Sequence, residues 1–103
     1  MKRAVVLLGL LFLVPGCSSE PQTAAPDDNA AFERANHDLQ LGDANKAVAN
    51  FTEAIRIFKA TGNPKLGEAY YGRGMAYSRL VMKQQAESDF QEAARRGFTD
   101  RRP

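Results

Sequence analysis

Residues able to do covalent or acid–base chemistry are few in this chain, and they are scattered. It carries one cysteine, Cys17, and one histidine, His37. His37 lies beside Asp38 on a stretch that reads as helix, with no second histidine or cysteine at metal-ligand spacing, so it reads as a solvent-facing residue. "YYGRG", Tyr70 to Gly74, offers two glycines. A dinucleotide or phosphate loop would need a preceding strand and a third glycine, and neither is present. No serine or cysteine stands in a nucleophile–base arrangement. The expectation is a protein that is not an enzyme and needs no metal or organic cofactor.

The remaining chemistry belongs to Cys17. Lys2 and Arg3 precede "AVVLLGLLFLV", Ala4 to Val14, which breaks at Pro15 and Gly16. Eleven apolar residues reach only about 16 Å as a helix, roughly half the hydrocarbon thickness of a bilayer, so the run reads as a signal peptide and not as a span. "VPGC", Val14 to Cys17, followed by the polar "SSE", resembles the lipobox of bacterial lipoproteins. That resemblance implies a diacylglycerol on the Cys17 thiol, cleavage before it and acylation, palmitate included, of the new amino terminus. Val14 replaces the usual leucine, and Pro15 a small or β-branched residue. A covalent lipid on Cys17 would be the only attached group, anchoring the chain in the bacterial cell envelope. Ser18 suits the outer membrane, facing the periplasm. The alternative is a soluble secreted protein cut near Gly16 with a free thiol.

Charge narrows the partners. The whole chain has a formal charge of +2, but Lys2 and Arg3 leave with residues 1–16, and the remainder is formally neutral. Acidic residues gather between 20 and 43, and four arginines lie between 95 and 102. Neither group makes the clustered basic footprint that nucleic-acid binding requires. Residues 17–28 hold the lipidated cysteine and "SSEPQTAAPDD", a stretch without a large apolar side chain that reads as a disordered tether.

Four helices follow from periodicity and punctuation. The first runs from an Asp27 or Asp28 cap to near Gly42, and the second from about Asn45 to Ala60, with Val48, Phe51, Ile55 and Phe58 as its apolar stripe. "TGNP" separates them from the third, capped by Asn63 with Pro64 at its first position and continuing to about Val81. The fourth covers roughly Lys83 to Arg96 and stops at Gly97, where Phe98 folds back. "NFTEAIR" at 50–56 and "DFQEAAR" at 89–95 agree at four of seven positions, 39 residues apart. At that offset Ala35, Ala47, Phe51 and Ala54 fall on Gly74, Ala86, Phe90 and Ala93.

This pattern of small residues around a phenylalanine resembles the tetratricopeptide repeat (TPR), although the period exceeds the usual 34 residues. The expected fold is all-α: two TPR-like helix-turn-helix pairs, four antiparallel helices over residues 29–98, with 99–103 a disordered tail. Glu87, Ala94, Arg96 and Gly97 stand where the second helix has Val48, Ile55, Ile57 and Phe58, so the fourth helix should end the array. The resemblance also implies a groove lined by Phe32, Asn36, Leu39 and Gln40 from the first helix and by Tyr71, Met75, Ser78 and Arg79 from the third. Phe32 and Tyr71 serve equally well as core. The implied function is a membrane-anchored protein–protein interaction module, an adaptor or assembly factor of the envelope that receives a partner peptide or helix. The alternative is a self-associating structural lipoprotein, and the oligomeric state expected is monomer or weak homodimer.

Overall fold

A computed structural model of the chain describes residues 27–98. The segments expected to be the signal peptide, the lipidated Cys17 with most of its tether, and the tail 99–103 lie outside the described residues. Four α-helices make up the fold, in the order α1 (Ala30–Gln40), α2 (Ala44–Thr61), α3 (Leu66–Arg79) and α4 (Lys83–Arg95). Each packs chiefly on its neighbour in sequence, because turns of three or four residues leave no room for any other arrangement.

The helix ends depart from the sequence expectation at three points. Asn29, not Asp27 or Asp28, occupies the first cap position; Asp27 Oδ1 instead accepts the Asn29 amide at 2.9 Å. Asn63 Oδ1 accepts the Lys65 amide at 2.8 Å, closing a turn through Pro64, so α3 begins at Leu66. That helix also stops at Arg79, because Val81 turns into the left-handed region with φ +59°. Asp43 caps α2 through its side chain to the Lys46 amide at 3.2 Å.

Helices α1, α3 and α4 end alike. After α4 the Phe98 amide donates to Ala93 O and Gly97 N to Ala94 O, the paired bonds of a Schellman turn with Gly97 at φ +85°. After α1 the same turn places Gly42 at φ +83°, and after α3 it places Val81 there. Gly42 and Val81 are equivalent at the 39-residue offset.

The two copies of the repeated heptapeptide divide the same labour. Phe51, Ala54, Phe90 and Ala93 are buried. Glu53 pairs with Arg56 and Glu92 with Arg95 along the exposed helix faces. Phe51 and Phe58 are fully enclosed, and Phe32 meets both rings, with centroids at 6.0 and 5.7 Å. Glycines in α3 make the sockets. A Cβ on Gly72 would lie 2.5 Å from Phe51 Cε1 and closer still to its Cζ, and one on Gly74 would lie 2.7 Å from Phe90 Cε1. Two residues apart on a helix is about 200° of rotation, so α3 takes one ring on each flank and is clasped between α2 and α4. The stripe residues Glu87, Ala94, Arg96 and Gly97 are exposed, whereas Ile55 and Phe58 are buried and Val48 and Ile57 half-buried.

Candidate partner-binding face

The 39-residue repeat puts α1 and α3 in equivalent places, and they lie close enough for one direct bond. Arg79 Nη1 donates to Leu39 O at 2.6 Å, joining the C-terminal ends of the two helices. Around this bond Asn36, Leu39 and Met75 are half-buried, and Gln40, Ser78 and Arg79 are exposed. These are six of the eight residues expected to line a groove, and all six retain accessible surface. Phe32 and Tyr71 are placed differently. Phe32 is 5 % exposed and wedged against Phe51 and Phe58, where burying a whole ring is worth more than leaving it in water. Tyr71 is half-buried, its ring against Phe90 at 5.4 Å and Phe98 at 5.0 Å. Both rings serve the core, and the face is more polar than the sequence suggested.

His37 is exposed in the last turn of α1. Among the described residues no three His, Cys, Asp or Glu side chains come together as metal ligands. No helix among them is long and apolar enough to cross a membrane. Asp38 Oδ2 instead accepts Asn50 Nδ2 at 2.6 Å, tying α1 to α2.

A polar cluster that sequence reasoning missed lies between α2, α3 and α4. Asp89 is 4 % exposed. It takes two parallel hydrogen bonds of 2.8 Å from Nε and Nη2 of Arg73. Arg73 Nη1 reaches Thr52 Oγ1 at 3.2 Å, and the guanidinium carbon stands 5.6 and 5.7 Å from the centroids of Tyr70 and Tyr77. The hydrogen bonds that Arg73 donates to Asp89 hold its pKa above the usual guanidinium range, against the burial that would lower it. With its donor fork filled by one carboxylate, Arg73 acts as a clamp that fastens α4 to α3 and reaches back to α2. The legible signal was Tyr70, Arg73 and Tyr77 at i, i+3 and i+7 on one helical face. Its partner, 16 residues further on, had no comparable mark.

Two open clefts lie away from the α1/α3 face. One, of about 370 Å³, is bounded by Arg73, Tyr77, Gln84, Gln85, Ser88 and Asp89. The other, of about 450 Å³, lies at the α2–α3 turn between Lys59, Pro64, Leu66 and Arg96. Lys59 and Arg96 there stand over the Tyr70 ring at 5.9 and 5.5 Å. In the first cleft Asp89 neighbours Ser88, and its carboxylate is occupied by the Arg73 guanidinium. Compared with protein-family models, curated proteins and solved structures, the chain matches none.

Proposed function

We propose that this chain is a membrane-tethered, TPR-like interaction module whose α1/α3 face receives an extended peptide or a partner helix in the bacterial envelope. The observation that carries the reading is the pairing of α1 with α3. Their equivalent stripes lie on one side of the fold, joined by the Arg79–Leu39 bond, and leave Asn36, Gln40, Met75, Ser78 and Arg79 within reach of solvent. Amide, hydroxyl and guanidinium groups around a methionine suit a peptide backbone with an intermittent apolar side chain. The "VPGC" motif supports a lipid on Cys17, and Ser18 supports an outer-membrane address facing the periplasm.

Two measurements test the reading together. Labelled palmitate should enter the wild-type protein and be absent from Cys17→Ser. A partner that copurifies with the anchored protein should be lost from the double variant Asn36→Lys, Ser78→Glu while the melting temperature stays within a few degrees of wild type. Retention of the partner by that variant removes the α1/α3 face from the account.

A further inference from the structure

Leu41, Val81 and Met82 are the large hydrophobic side chains left exposed among the described residues, at 70, 73 and 37 %. All three lie in the α1–α2 and α3–α4 turns, and the Arg79–Leu39 bond draws those turns together at one end of the fold. The opposite end is different in kind: Lys59, Lys65 and Arg96 stand there over aromatic rings.

This apolar corner is kept against the local interest of the backbone. Val81 occupies a left-handed position at φ +59°, where its counterpart in the first unit is Gly42. A β-branched residue is poorly suited to that conformation. Met82 likewise stands where the first unit has the capping Asp43, and it makes no side-chain cap bond. Both differences from the first unit weaken the turn, and both place exposed apolar surface in it.

We infer that this corner inserts into the surface of a lipid bilayer. Three observations choose lipid over a protein partner. The side chains are aliphatic or thioether, without the aromatic anchors that dominate protein interfaces. The amides of Leu41, Gly42, Asp43, Leu80, Val81 and Met82 are all bonded within the chain, at 2.8 to 3.2 Å, so these turn residues bring no unmet amide of their own into a water-poor layer. Lys83 follows Met82 directly and is exposed, with no ion pair among the described residues, as suits an anionic headgroup.

The proposal rests on the lipid-anchored reading for why a bilayer is at hand, and the distances allow it. The nine residues between Cys17 and Asp27 let those two residues stand up to about 35 Å apart, whereas α1 lifts the corner only about 16 Å from its start. The corner can therefore reach the plane in which Cys17 is held. Lying on the membrane by this end would hold the fold in a fixed orientation, with the basic end outward.

The chain has no tryptophan and a single cysteine, which makes the test direct. Residues 17–103, which retain the whole described fold, are coupled through Cys17 to a maleimide-bearing lipid in vesicles of phosphatidylethanolamine with a minor fraction of phosphatidylglycerol. This attachment does not depend on processing in the cell, so absence of palmitate in vivo would remove the natural anchor without deciding the result here. Tryptophan is introduced at the exposed positions Leu41, Met82 or, as a control at the far end, Ala60. Emission from Leu41→Trp and Met82→Trp should shift to shorter wavelength and be quenched by lipids brominated in their acyl chains, while Ala60→Trp stays as in buffer. Val81→Gly added to Leu41→Trp should lower the inserted fraction about threefold or more while raising the melting temperature, a combination that a purely structural role for Val81 does not produce. Unshifted emission at Leu41 and Met82, or equal quenching at Ala60, overturns the proposal. So does a blue shift in lipid-free solution that grows with protein concentration, because a second copy would then be what covers the corner.

Discussion

Gly72→Ala should destabilise this domain even though alanine is the better helix former. In the helix interior the exchange would by itself gain about 1 kcal/mol. The new methyl, however, would stand 2.5 Å from Phe51 Cε1 and nearer to Cζ, about 1 Å inside the separation at which carbon atoms attract. Phe51 is fully enclosed and cannot swing aside. Overpacking of this kind costs about 2–3 kcal/mol, leaving a net loss of about 1–2 kcal/mol. A fold of about seventy residues has only about 4–10 kcal/mol in total, so the urea midpoint should drop by about 1 M. Phe51→Leu removes the colliding Cε and Cζ atoms. In that background Gly72→Ala should become stabilising by about 1 kcal/mol, which makes the coupling between the two sites about 2–3 kcal/mol. The four proteins would be unfolded in urea under far-ultraviolet circular dichroism, with trimethylamine N-oxide added equally to all if the Phe51→Leu baseline is short. If Gly72→Ala changes stability by the same amount in both backgrounds, the socket explanation of Gly72 is refuted.

Other consequences can be checked by melting and titration. Val81→Gly should relieve a left-handed conformation worth about 1–2 kcal/mol and, after the entropy lost at glycine, raise the melting temperature by about 4–8 °C. Met82→Asp should add about 1 kcal/mol by restoring the cap that Asp43 makes in the first unit, and Asp43→Ala should remove about as much; both can be read from urea midpoints. Asp89→Ala strands the Arg73 guanidinium and should cost about 2–3 kcal/mol, less than for a fully buried pair because the Arg73 side chain is still 19 % exposed. Arg73→Met should recover most of that loss. Glu53 and Glu92 are held below the usual carboxyl value of 4.5 by hydrogen bonds from Arg56 and Arg95. A carboxyl with a lowered folded pKa adds stability that is present above its unfolded pKa and lost as the pH falls through the folded value, so melting temperatures should decline below about pH 4.5. The decline should be shallower in the double variant Glu53→Gln, Glu92→Gln, and weaker in high salt because both pairs are exposed.

The all-α fold was legible because its signals are local. Apolar spacing in α2, glycine at the end of α1 and α4, and the repeated Phe-x-x-Ala placed all four helices within a few residues. The ends of α3 were not legible. Asn63 could cap a helix or close a turn with equal chemistry, and the choice went to the turn through Pro64. A valine in a left-handed position contradicts its own preference, so no reading of propensity would stop the helix before it. Gly72 is explained by Phe51 lying across it, and its sequence context does not show this, because a socket depends on the neighbouring helix. The face itself was half legible. Spacing put eight residues on one side of α1 and α3, but spacing alone does not separate a ring that lines a groove from one that turns into the core, as Phe32 does. The Arg73–Asp89 clamp joins helices through a rotation about α3 that only packing decides.

Site-specific photocrosslinking in living cells tests the central claim most directly. With a photoreactive phenylalanine at Gln40 or Ser78 on the α1/α3 face, and at Glu87 or Gln91 on the exposed side of α4, illumination should yield a discrete adduct of one partner from the first pair and none from the second. Adducts from the α4 positions alone, or adducts from Gln40 and Ser78 at only twice the mass of this chain, would contradict a partner-binding α1/α3 face.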